Sequence, residues 1–146
     1  MFIRQLSVFI ENQEGRLQEV LDVLKAVNVS IISLSLADTS EYGLLRMITD
    51  KPEEGRRELK EKGFSAMLTD VLAVRLSHQA GSLQEVLTHV CSAGLNVEYM
   101  YALTNNKEDG ASIVCRISNG DEAARLLKSR DVELYSQDDI LRIFQR

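Results

Sequence analysis

The same glycine-then-helix opening occurs twice in this chain, as Gly15-Arg16-Leu17-Gln18-Glu19-Val20-Leu21 and as Gly81-Ser82-Leu83-Gln84-Glu85-Val86-Leu87. A duplicated segment constrains a fold more tightly than composition does, because both copies must obey one backbone plan. With 146 residues the chain has room for one ordinary domain or two very small ones. The duplication selects the second.

Each copy carries the same succession of periodicities. Leu6, Val8 and Ile10, like Leu72, Val74 and Leu76, alternate with mostly polar residues and predict a half-buried strand before each glycine. After the glycine, Leu17, Val20, Leu21, Leu24 and Val27 fall at helical spacing, as do Leu83, Val86, Leu87, Val90 and Cys91. Asn28 and Gly94 follow these helices, and both residue types readily take the left-handed conformation that ends a helix. A hairpin comes next, from "SIISLSLA" through "DTSEYG" to "LLRMITD" in one copy and from "NVEYMYAL" through "TNNKEDG" to "SIVCRIS" in the other. Second helices open at Pro52 and at "NGDEAARLLKSR", with acidic residues complementing their dipoles. "FSAMLTD" and "VELYSQD" then read as closing strands.

The expected fold is α+β: two tandem ferredoxin-like βαββαβ units, residues 1–70 and 71–146, each an antiparallel sheet with helices on one face. "DILRIFQ" resembles "DVLAVRL", so residues 139–146 are expected to add a further C-terminal strand. Literal alternation would place Phe9, Ile32, Leu34, Leu36 and Met100 on the sheet face away from the helices. So much apolar surface on such small units leads us to expect a homodimer.

Charge excludes several functions. The net charge of −5 opposes a phosphate backbone, and the run Arg56, Arg57, Lys60, Lys62 is interleaved with glutamates as on a solvated helix. No apolar run is long enough for a bilayer-spanning helix, and the N-terminus lacks a secretory pattern, so a cytoplasmic protein is expected. Cys91 and Cys115 form no CxxC and each falls in an apolar pattern, which predicts two buried free thiols and no metal site. Neither His78 nor His89 has a carboxylate or cysteine at ligand spacing, and no serine sits in a nucleophile elbow.

A repeated βαββαβ unit whose first strand ends in a polar residue, a short loop, glycine and then Leu resembles the ACT domain family. The motif reads "NQEGRL", Asn12 to Leu17, and "HQAGSL", His78 to Leu83, and both copies lack the proline that usually precedes the glycine. The resemblance covers essentially the whole chain and implies a small-molecule sensor, not an enzyme and without a cofactor. It would bind a free amino acid between paired units and act in trans on an unknown regulated protein. It also implies the site residues: Asn12, Gln13, Glu14, Gly15, Arg16 and Leu17 with Asn96, Val97 and Tyr99 in one pocket. A second, weaker pocket would comprise His78, Gln79, Ala80, Gly81, Ser82 and Leu83 with Ser30 and Ile31. Physically, the unpaired N–H groups of a helix start attract a carboxylate, and a glycine lets it approach.

Plainer readings stand beside these. Asn12 and Asn96 also suit strand ends and turns irrespective of any ligand. Tyr99 and Tyr101, alternating with Val97 and Leu103, also fit a packed face. The competing functions are a small ferredoxin-like enzyme of the dimeric α+β barrel kind using His78, and an interaction module that binds no ligand.

Overall fold

The protein is described from a computed structural model covering residues 2–103 and 111–144. It divides into two compact units, Arg4–Thr69 and Asp70–Arg146, the latter together with Met1–Ile3.

The first unit runs β1 (Ile3–Glu11), α1 (Arg16–Ala26), β2 (Ile31–Asp38), β3 (Tyr42–Thr49), α2 (Pro52–Glu61) and the beginning of β4 (Ser65–Leu76). β3 pairs antiparallel with both β1 and β2. Leu6, Val8 and Ile10 meet Leu45 and Met47 on one face, where Val20 and Leu24 of α1 and Leu59 of α2 close the core. The expected amphipathic stripes therefore produce the expected layer of helices on a sheet. Gly55 lets α2 approach, since a Cβ there would lie 3.1 Å from Leu6 Cδ2 and 3.2 Å from Leu24 Cδ2.

The second unit repeats this plan with the rest of β4, α3 (Ser82–Ser92), β5 (Val97–Ala102), β6 (Ala111–Ile117) and α4 (Gly120–Ser129). β6 pairs antiparallel with β4 and β5, and Leu72, Val74, Leu76, Val86, Val90, Cys115 and Leu127 form its core. Phe2 packs there too, 3.1 Å from where a Cβ on Gly120 would stand. Asn28 and Gly94 take φ of 58° and 76°, the left-handed stops read from the sequence. The "TNNKEDG" turn lies outside the described residues.

Four sequence expectations are corrected. "FSAMLTD" and "DVLAVRL" are one continuous strand, β4, because no turn residue separates them. "VELYSQD" is reduced to a single bridge, Val74 to Leu134, flanked by Arg75 N–H to Glu133 O at 3.0 Å and Tyr135 N–H to Ala73 O at 2.9 Å. The expected C-terminal strand 139–146 is instead a helix, α5 (Gln137–Phe144). Ser136 and Asp139 cap it reciprocally: the Ser136 N–H donates to Asp139 Oδ2 at 2.9 Å and the Asp139 N–H to Ser136 Oγ at 3.1 Å. Ile140, fully buried, and Ile143 recur at helical rather than strand spacing.

The fourth correction concerns sheet faces. One extra residue bulges out of β2 between Ile31 and Ser33, and one out of β5 between Val97 and Tyr99. A bulge reverses the alternation beyond it. Leu34 and Leu36 therefore register with Met47 and Leu45 on the helix-bearing face, and Met100 with Cys115, whereas Phe9 opposite Leu44 points away. At the β2 edge Leu34 and Leu36 stay half exposed, as do Phe9, Tyr42 and Met67. Val97 packs into the second core, on the face opposite Tyr99 and Tyr101.

Candidate functional site

Each β-to-α connection is a tight turn with glycine at its third position. The Arg16 N–H donates to Gln13 O at 3.3 Å around Gly15 (φ 86°, ψ −10°), and the Ser82 N–H to Gln79 O at 3.3 Å around Gly81 (φ 86°, ψ 1°). These dihedrals define a type II turn, in which glycine supplies the positive φ and proline commonly precedes it. Glu14 and Ala80 occupy the proline position, and the turn closes without it. Each glycine is also the N-cap of the following helix and brings no side-chain acceptor. Among the described residues, the N–H groups of Leu17, Gln18, Leu83 and Gln84 have no acceptor.

The expected site residues divide by environment. Asn12, Gln13 and Glu14 are exposed, and the Asn12 N–H donates to Glu41 O at 2.9 Å. Leu17 and Ile31 pack on the first core, Leu83 and Val97 on the second, so these four are walls rather than polar contacts. Ser30 and Asn96 are exposed at the equivalent strand entries: the Ser30 N–H donates to Asp50 Oδ1 at 2.7 Å and the Asn96 N–H to Ser118 Oγ at 2.9 Å. Tyr99 is half-buried, opposite Arg116. Arg16 is already engaged, its guanidinium 4.7 Å from the Phe64 ring centroid and paired with Glu19.

The second unit differs at this place. His78 and Ser82 line a cleft of about 520 Å³ with Arg75, Leu76, Ser77, Glu85, Val86, His89, Arg130, Asp131, Val132 and Glu133. Gln79, Ala80, Gly81 and Leu83 stay outside it. Gly81 and Leu83 instead border a shallow groove on the other side of α3 with Gln84, Leu87, Thr88 and Cys91. Cys91 is exposed, contrary to expectation, because it continues the outer Leu83-Leu87 row rather than the buried Val86-Val90 row. Cys115 is buried as expected, and burial pushes its thiol up to about 12. Sequence reasoning missed His89, Glu85, Arg75 and the Arg130–Glu133 segment as cleft walls. The spacing Ser82, Glu85, Val86, His89, one face of a helix, was the available signal.

No cluster of three or more His, Cys, Asp or Glu able to hold a metal ion occurs among the described residues. No described helix is long and apolar enough to cross a membrane.

Two βαββαβ-like units, each opening its first helix on a left-handed glycine, define a tandem ferredoxin-like fold. The sequence model of the ACT domain pair family matches residues 1–144, and the chain belongs to that family. Protein BT0572 from Bacteroides thetaiotaomicron is similar in structure, with a TM-score of 0.90, 35% identity and 97% of each chain covered. The regulatory subunit of aspartate kinase from Thermus thermophilus, in its ligand-free form, shares the fold with a TM-score of 0.59 at 16% identity, covering 86% of this chain and 91% of its own. Its counterpart from Thermus flavus gives 0.58 at 17% identity, covering 86% and 90%. No curated protein matches the chain.

Proposed function

We propose that this ACT domain pair is an amino-acid-responsive regulatory module, acting in trans on a partner protein rather than catalysing a reaction. The observation that carries this reading is the pair of type II turns, each delivering helix N–H groups that no described residue accepts from. A carboxylate seated there gains charge-assisted hydrogen bonds and the favourable end of a helix dipole. The family membership and the fold shared with aspartate kinase regulatory subunits support the regulatory reading.

Asn12 immediately before the first turn and Asn96 at the entry to β5 are the proposed polar contacts, since two amides supply donors and acceptors for a zwitterion. A homodimer belongs to the same proposal, supported by the exposed Leu34, Leu36, Phe9, Tyr42 and Met67. A thermal-shift screen of the common amino acids, followed by calorimetry, tests the reading. One amino acid should raise the melting temperature, and Asn12→Ala or Asn96→Ala should weaken its binding by about 1–3 kcal/mol. A flat screen sinks the sensor reading, and unchanged affinity in both variants removes these two residues. Sedimentation as a monomer at high concentration removes the dimer.

A further inference from the structure

The two units form an internal control, because equivalent positions can be matched by their hydrogen bonds. The Phe64 N–H donates to Leu59 O after Gly63 (φ 89°), and the Val132 N–H donates to Leu127 O after Asp131 (φ 59°). Phe64 and Val132 are therefore equivalent, as are Arg16 and Ser82, each following its turn glycine. In the first unit the Arg16 guanidinium lies 4.7 Å from the Phe64 ring centroid, so the pair bridges the start of the first helix and the segment after the second. In the second unit both plugging groups are smaller, and the cleft of about 520 Å³ occupies that place.

Its walls carry both signs of charge around an apolar floor. Leu76, Val86 and Val132 form the floor. Arg75 is paired with Glu133, Nη1 to Oε2 at 3.2 Å, but among the described residues the side chains of His78, His89, Arg130, Glu85 and Asp131 have no partner. Both histidines of the chain face this one cleft from different segments, the loop and α3. Unpaired carboxylates beside Arg130 do not suit a polyanion, and among the described residues no three His, Cys, Asp or Glu come together to hold a metal ion. They suit a small zwitterion, whose carboxylate meets Arg130 and the histidines, whose ammonium meets Glu85 or Asp131, and whose side chain rests on the apolar floor. The volume lies within the usual range for small-molecule sites, roughly 300–1,000 Å³.

We propose that the second unit binds an α-amino acid inside this cleft, through Arg130, His78, His89 and Glu85, and that the first unit's equivalent place is closed by Arg16 and Phe64. The proposal rests on the amino-acid reading above and moves the second unit's site from the turn to the cleft. The two histidines supply a direct reporter: their ring proton resonances, assigned with His78→Gln and His89→Gln, are followed while each common amino acid is titrated into the full chain, with calorimetry in parallel.

Saturable movement of both resonances is the expected result, with affinity weakened about ten-fold or more in Arg130→Ala. Ser82→Arg/Val132→Phe, which rebuilds the first unit's plug, should abolish the movement while the melting curve stays cooperative. Calorimetric binding without movement of either resonance, or undiminished movement in a folded Arg130→Ala protein, overturns the cleft and leaves the sensor reading standing. Absence of binding by any amino acid overturns both.

Discussion

Replacing Ala80 by Pro should stabilise the protein, and the reason lies in the turn geometry rather than in any new contact. Ala80 holds the second position of a type II turn, where φ near that of proline is required, and among the described residues its N–H has no acceptor to lose. The gain then comes from restricting the unfolded chain and amounts to about 0.4–1 kcal/mol. Gly81→Ala, one residue on, tests the other half of the turn. No atom lies within 4 Å of a Cβ built at Gly81, so its cost is purely the left-handed backbone at φ 86°. That cost is roughly 1–2 kcal/mol for an L-residue, partly offset by the smaller entropy alanine loses on folding. Asn should cost less than Ala, and Val more, in the same position. Urea unfolding with a shared m-value reads these differences directly. A destabilising Ala80→Pro would show that the turn is not type II. A Gly81→Ala loss above about 3 kcal/mol would show steric crowding that the geometry excludes.

The cysteines should react unequally: at mildly alkaline pH a thiol reagent should modify Cys91 in the native protein, with Cys115 following only on denaturation, read by intact mass. The Ser136 backbone N–H holds the Asp139 carboxyl below its ordinary range, so its stabilising effect is present above the unfolded carboxylate value and is lost as pH falls through the lower folded value. Asp139→Asn, which keeps an acceptor oxygen for the Ser136 N–H but loses the negative charge at the helix start, should thus be less stable than the parent near neutrality by about 0.3–1 kcal/mol and converge with it in acid unfolding curves. Arg16→Ala should cost about 0.5–1 kcal/mol, and a double-mutant cycle with Phe64→Leu should return most of it as coupling. Additive losses would mean that the stacking contributes nothing.

The repeat made most of the fold legible, because core stripes, left-handed helix stops and turn glycines are local properties of sequence. Where the sequence misled, a single residue decided. Ile32 and Glu98 leave two strands one residue out of step, and no periodicity reveals which residue is squeezed out of a ladder. The C-terminal segment resembles the β4 sequence "DVLAVRL", yet its Ser136-Gln137-Asp138-Asp139 start and its Ile140-Ile143 spacing spell a capped helix, and these local signals prevail.

The candidate sites divide along the same line. Sequence alone determined the duplication, the two glycine turns and the difference between Asn12 and His78, all of which follow from residue identity and short-range backbone preference. Only the tertiary structure decided that Arg16 is spent on Phe64, that Val132 leaves the equivalent place open, and that His89, Arg130 and Glu85 face His78 across it. Those residues are far apart in the chain, and what sets their meeting is how side-chain volumes fill the space between elements, which no local pattern encodes.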